Sequence, residues 1–319
     1  MVMPSLEVSG LESGVAPSPV DAAPRPMAGL LKKLLKNVSV VLCIAFLVIV
    51  LLMAIFAPLV TRISGWGPFT FDADVIDAAS GGLPKGAFGG ISARHWFGVE
   101  PQSGRDIFAR IVYGARISML IAISATLVTA FLGIVLGTVA GFFGGVADQA
   151  ISRVMDFLMA FPTLIFMIAL LSALPKVNRP LMLITVLSIF GWTHMGRIIR
   201  SQTMSLAQRE FVEAAQASGA SKTAIIFKEI LPNLSGTIIV IATLAVPTFI
   251  GIEAGLSFLG VGITPPTASW GQMIASSVPW STVVPTYFLI PGMFLFLTVL
   301  SFTILGDRIQ KILAAGGRS

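Results

Sequence analysis

Arg209 to Pro232 reads REFVEAAQASGASKTAIIFKEILP, a polar, helix-forming stretch lying between two long apolar runs. Phe211, Ala214 and Ala215 fall at i, i+3 and i+4, so on a helix they share one face, with Glu210 and Glu213 on its flanks. Gly219 can take the left-handed conformation that ends a helix and turns the chain. Ser221 can then cap a second short helix from Lys222 to Ile230, which Pro232 stops. The spacing predicts a helix–turn–helix with a shallow apolar face rimmed by charge. Periodicity alone allows two uses: docking on another protein, or lying as an ordinary amphipathic loop on lipid.

Outward from this stretch, the composition is that of a membrane protein. Hydrophobic residues make up 55% of the 319, charged residues only 11%, and the mean hydropathy is +0.91. Uncharged runs extend over Val38–Val60, Ile117–Phe143, Phe157–Leu174, Leu181–Gly196, Leu234–Ile252 and Val283–Gly306, the fourth being the shortest. Helices are expected, because lipid offers backbone groups no partner outside their own segment. The runs are also too long and too uniformly apolar for barrel strands. The fold class is therefore all-α: a polytopic membrane protein with six transmembrane helices. Its expected organisation is a disordered cytoplasmic tail at 1–36, a first transmembrane helix at 37–60 and an external loop at 61–114. A core of five helices follows at 115–306, with the polar loop at 205–232, and then a cytoplasmic tail at 307–319.

Orientation follows from the flanking cations. With the amino terminus inside, internal segments carry 13 of the 21 Lys and Arg residues, Lys32, Lys33, Arg197, Arg200 and Arg209 among them, and both termini are cytoplasmic. The net charge of +6 thus reads as topology, and no clustered basic face suggests nucleic acid. The first run starts too late and is too long for a cleaved signal peptide, so its retention is expected. Cys43, the single cysteine, lies inside it and reads as a buried structural thiol.

Gly133, Gly137 and Gly141 recur every four residues, which favours close helix packing over a pore role. Asp148, Arg153 and Asp156 read as a solvated turn in which both acids can pair with Arg153. Pro162, Pro247, Pro285 and Pro291 interrupt or begin apolar runs, as static kinks or as bends used in gating. The loop at 61–114 contains GWGPF, GGLPKGAFGG and HWFG, and should be folded locally or held by a neighbour.

Residues for catalysis are not brought together. His95 and His194 are the only histidines, and neither has cysteines or carboxylates at metal-ligand spacing. His194 reads as a packed, hydrogen-bonded side chain. Gly219-Ala-Ser-Lys222-Thr223 fails as a phosphate loop, because Ser221 stands where glycine is needed and no strand precedes it. The chain is expected to be a non-enzyme that binds no metal or cofactor itself.

Glu213-Ala214-Ala215, three residues, Gly219, then Ile230-Leu231-Pro232 resembles the EAA signature of permeases of binding-protein-dependent ABC importers. GRDIFARIVYGARIS at Gly104–Ser118, GFFGG at Gly141–Gly145 and DFLMAFP at Asp156–Pro162 look like the C-type permease of dipeptide and oligopeptide importers. So do EAGLSFLGVGITPPTASWGQM at Glu253–Met273 and LGDRI near the carboxyl end. The resemblance implies the type I importer permease fold, in a prokaryotic inner membrane. It also implies a homologous second permease, two cytoplasmic ATP-binding subunits that hold ATP and magnesium, and an external solute-binding protein delivering peptides. Glu213, Ala214, Ala215, Gly219, Ile230, Leu231 and Pro232 would then couple the spans to the ATPase subunits. Two departures concern the outer side: Gly98-Val99-Glu100-Pro101-Gln102-Ser103-Gly104-Arg105-Asp106 lacks the usual Thr-Asp and is one residue longer, and the external loop is enlarged.

Glu253 is the one acid placed within an apolar span. Intramembrane acids are costly and point to function, so Glu253 is read as lining or gating the path, as a proton site, or as a structural carboxyl. Two alternatives remain beside a peptide importer: a proton-coupled secondary transporter using Glu253, and an importer of a non-peptide solute such as nickel. Six spans without a detectable inverted repeat argue against the first.

Overall fold

The computed structural model describes residues 28–174 and 178–316; the part of the expected tail before residue 28 lies outside them. Its helices are α1 (Ala28–Leu34), α2 (Val38–Ile55), α3 (Ala57–Ser64), α4 (Ile107–Phe143), α5 (Gly145–Met159) and α6 (Thr163–Ala173). They continue as α7 (Arg179–Ala207), α8 (Glu210–Ala217), α9 (Lys222–Ile225), α10 (Leu231–Phe258), α11 (Trp270–Ser277) and α12 (Pro285–Gly316). Strands Ile76–Asp77 and Leu83–Pro84 form one short antiparallel hairpin. The architecture is all-α.

Among the described residues, five helical segments are long and apolar enough to cross a membrane, and α5 and α6, bent by 83° to one another, make a sixth if the pair counts as one span. The run Phe157–Leu174 is therefore not a straight span. Pro162 occupies the extended cap position before α6, and eleven residues of helix reach only about 16 Å. The polar turn expected around Asp148 is instead the first part of α5. Its acids pair outside their own helix, Asp148 with Arg200 and Asp156 with Arg197 at 2.8 Å, while Arg153 is exposed. Local spacing had offered Arg153, but packing of α5 against α7 brings the α7 arginines closer.

Other boundaries shift for identifiable reasons. α4 begins at Ile107, inside the loop expected to reach 114, because Asp106 caps it by accepting the Ala109 amide at 2.7 Å. At the other end of that loop, α3 covers Ala57–Ser64 and closes on Gly65 in the left-handed conformation. Residues 28–34, expected within the disordered tail, form α1, whose Leu34 packs with Val40 and Ile309. α12 likewise continues through the expected carboxyl tail to Gly316.

α4 and α7 form the central pair, and the three glycines are the reason they can approach. A Cβ at Gly137 would lie 2.6 Å from the Gly196 carbonyl oxygen, and one at Gly141 would lie 2.5 Å from that of Arg200. Gly133 faces Met195 in the same seam, so the packing reading of this repeat holds. The main core joins Ile111, Ile121 and Ala125 of α4 to Leu187 of α7, Ile250 of α10 and Trp270 of α11. Large apolar side chains such as Leu42, Ile49, Phe131 and Phe296 are left on the outside, as a lipid-facing surface requires.

Candidate functional site

The 209–232 segment folds as a turn between helices whose end is closed on both sides. α8 terminates in a Schellman arrangement: the Gly219 amide donates to Gln216 O at 2.9 Å and the Ala220 amide to Ala215 O at 3.0 Å. Gly219 has φ +81°, a conformation glycine takes without side-chain strain. Ser221 then caps the next helix by accepting the Ala224 amide at 3.2 Å. The expected helix–turn–helix is present, but Pro232 does not end its second arm.

After α9 the backbone widens into a π-turn at Ile226–Ile230 and runs straight into α10, with Pro232 in its first turn. The Leu231 amide reaches back to Ile226 O, and the Asn233 side-chain amide donates to Glu229 O at 2.6 Å. A wider turn relieves the proline ring of the carbonyl it would meet in a regular helix, so the proline reshapes the helix without breaking it.

The buried face of α8 is set by Val212, which is 0% exposed and packs with Ile225, Ile230 and Leu234 against Met195 and Ile199 of α7. Phe211 and Ala215 flank this cluster, so the stripe read from the sequence is largely turned toward the chain itself. Glu213, Ala214 and Gly219 are exposed; Leu231 and Pro232 are half-buried and Ile230 is buried. Phe227 stands 65% exposed on the second arm and Lys222 lies over the Phe143 ring at 5.6 Å. Val212 and Phe227 were missed from sequence; Val212 sits three residues before Ala215, the spacing that would have found it.

Glu253 lies away from this element, in α10, and is 0% exposed. Its carboxylate accepts from the Ser118 hydroxyl at 3.0 Å and from the Ser257 hydroxyl at 2.8 Å. Ser118 in turn accepts the Trp270 amide and Ser257 accepts the Ile263 amide, so one carboxylate ties α4, α10 and α11 together.

A second buried network sits beside it. Arg110, 0% exposed, pairs with Glu100 and donates to Pro68 O, Pro266 O and the Gln272 side chain. Glu100 also takes Arg105 Nε at 2.6 Å and the Tyr287 hydroxyl at 3.0 Å. The residue standing in the departure from the family pattern is thus the hub of the enlarged loop. His95, buried under Trp66, bonds Asp106 through Nδ1 at 2.8 Å and lies 3.4 Å from Asp72 through Nε2. Burial pushes the Asp106 carboxyl above the usual carboxylate range, against the Ala109 amide and the His95 ring.

A cavity of about 530 Å³ opens between α4, α6, α7 and α10, with Met159 of α5 and Gln310 of α12 also lining it. Glu253 is not among its lining residues, whereas His194 is. His194 is exposed, with no hydrogen bond from its ring among the described residues, which corrects the expectation of a packed side chain. Among the described residues no group of three or more His, Cys, Asp or Glu is placed to hold a metal ion.

Residues 133–318 match the profile of the binding-protein-dependent transport system inner membrane component family. The chain belongs to this family. The oligopeptide transport system permease protein OppC of Bacillus subtilis (strain 168) is 38% identical over 267 residues, covering 84% of this chain and 82% of that protein. The dipeptide transport system permease protein DppC of Alkalihalophilus pseudofirmus is 36% identical over 301 residues, or 93% of each. Among solved structures, the inward-facing MetNI methionine ABC transporter aligns at 20% identity with a TM-score of 0.46, over 65% of this chain and 97% of that one. As a transport-system inner membrane component, the chain is a multi-pass permease subunit.

Proposed function

We propose that this chain is one half of the translocation pathway of an ATP-driven peptide importer, and that Glu213 to Pro232 is its mechanical link to a cytoplasmic ATPase subunit. The observation that carries the link is the way α8 is held. Val212 anchors one face to α7, and the Gly219 turn fixes its angle to the continuous helix through α10, while Glu213 and Ala214 stay exposed. A partner gripping that face would push directly on α10 and, through Met195 and Ile199, on α7. Relatives named as oligopeptide and dipeptide permeases support peptides as the cargo class. The remaining assembly is a second homologous permease, two ATPase subunits holding ATP and magnesium, and an external binding protein, with both termini of this chain cytoplasmic.

Cys43 is the only cysteine, so Cys43→Ser provides a cysteine-free background. Ala214→Cys in that background should crosslink to the ATPase subunit in the assembled transporter. A crosslink that forms equally well in its absence, or reaches only lipid, would remove the docking reading.

Glu253 is proposed as a positioning residue that joins three helices. Both carboxylate oxygens are already engaged by serine hydroxyls, and the side chain does not reach the cavity. Glu253→Gln can keep those partners, since an amide oxygen accepts and serine hydroxyls rotate. It should retain most of the wild-type uptake rate, whereas Glu253→Ala strands the serines and should lose about 1–3 kcal/mol of stability. Complete loss of uptake in the glutamine variant, with normal assembly, would restore the proton-coupled alternative.

A further inference from the structure

The ring of His95 is held between two carboxylates. Its Nδ1 lies 2.8 Å from Asp106, the cap of α4, and its Nε2 lies 3.4 Å from Asp72, in the segment that leads from α3 to the short hairpin. Ring and acids are buried, with His95 and Asp106 each 1% exposed and Asp72 7%. Trp66 covers the ring, with centroids 4.5 Å apart. Arg94 lies over the Trp66 ring at 5.5 Å and reaches Asp72 at 3.9 Å. Among the described residues no other charged side chain pairs with the ring or with either acid; Glu100, Arg105 and Arg110 pair with one another. The backbones meet here as well. Gly104, two residues before Asp106, has φ +66° and sits so close to the Asp72 carbonyl that no Cβ fits between them.

A neutral imidazole carries one N–H and one lone pair. With Nδ1–H donated to Asp106, the Nε2 lone pair would face a carboxylate oxygen of Asp72, two acceptors with no hydrogen between them. One added proton, on Nε2 or on a carboxyl, turns both contacts into hydrogen bonds. The closed cluster therefore holds two dissociable protons over three groups. The same groups apart in water hold one at pH 7 and above, because a free imidazolium gives up its proton near pH 6.5 and free carboxyls near pH 4. Closing takes up one proton, and the three groups titrate as a unit. The upward push of burial on the Asp106 carboxyl acts in the same direction. We propose that Asp72, His95 and Asp106 form a proton-held latch, which fastens the segment around Asp72 to the start of α4 at mildly acidic pH and releases it at alkaline pH. The closed form binds more protons, so raising the pH favours the open one. Below about pH 6.5 a freed ring is protonated too and closure gains nothing further; above it the closed-to-open ratio falls by up to about tenfold per pH unit. The latch senses pH on the loop's own side and carries no proton across the membrane, so it is separate from proton-coupled transport.

A nitroxide label on Ala73→Cys, in the full chain with Cys43→Ser, reads the latch, because Ala73 is exposed and follows Asp72 directly. Electron paramagnetic resonance should show an immobilised label at pH 6 and a mobile fraction that grows toward pH 9. The mobile-to-immobile ratio should rise at least about tenfold over that range. Asp72→Asn places an amide N–H where Nε2 can accept it, so this variant closes without the added proton and its label should stay immobilised from pH 6 to pH 9. Glutamine does not titrate, so His95→Gln should give one and the same spectrum at both ends of the range. A label whose mobility ignores pH while Asp72 and His95 are both present would overturn the latch. A rise of the mobile fraction with pH that persists undiminished in either variant would overturn it as well, and would place the titrating group elsewhere in the loop.

Discussion

Gly219→Val should abolish uptake while ATP hydrolysis continues and the protein still inserts in the membrane. At φ +81° a β-branched residue is forced into a conformation that costs roughly 1–3 kcal/mol. The chain escapes by opening the turn, which releases the Gly219 and Ala220 amides from Gln216 and Ala215. Nothing lies within 4 Å of a Cβ at this position, so the cost is conformational and stays local. The spans survive, but α8 loses its fixed angle to the helix that becomes α10. Asparagine tolerates the left-handed region better than valine does, so Gly219→Asn should retain most of the coupling. Uptake and phosphate release measured on the same vesicles separate the outcomes. Parallel loss of both activities in the valine variant would mean that the turn serves assembly and not coupling.

Arg110→Met should be the most destabilising single change in the buried network around Glu100. It leaves Glu100 buried against Tyr287 with only Arg105 to offset its charge. Removing one partner of a buried ion pair costs about 3–5 kcal/mol. The double variant Arg110→Met with Glu100→Gln removes the stranded charge and should recover part of that loss. Thermal aggregation of the detergent-solubilised subunit reports both. Equal destabilisation of the single and double variants would show that Arg110 contributes packing and its hydrogen bonds to Pro68, Pro266 and Gln272, not charge neutralisation.

The apolar spans were legible because lipid imposes one requirement on the backbone, and uncharged runs of sufficient length meet it in one way. The turn at Gly219 was legible for a related reason: Gly219 and Ser221 act locally, through φ and a cap, and need no distant partner. What escaped was non-local. Asp148 and Asp156 are within reach of Arg153 along the chain, yet helix packing hands them to Arg200 and Arg197. Pro232 reads as a stop in isolation, but the π-turn before it and Asn233 after it absorb the cost. Phe211 and Ala215 were expected on a partner-facing stripe, and instead flank the Val212 anchor. Arg110 and Glu100 carried no signal as a pair, since nothing in a ten-residue separation implies that both are buried. His194 was read as packed because it lies in an apolar run; only the arrangement of four helices shows that it opens into a cavity.

The account's central claim is that ATP hydrolysis in a partner subunit, delivered through Glu213 to Pro232, drives solute through these spans. The direct measurement is alanyl-alanine uptake by the complete transporter in proteoliposomes, with ATP and magnesium on the side of the ATPase subunits and the binding protein on the other. A proton gradient is imposed or omitted independently. The account predicts uptake that requires ATP and is indifferent to the gradient. Uptake that persists without ATP and follows the proton gradient would contradict it.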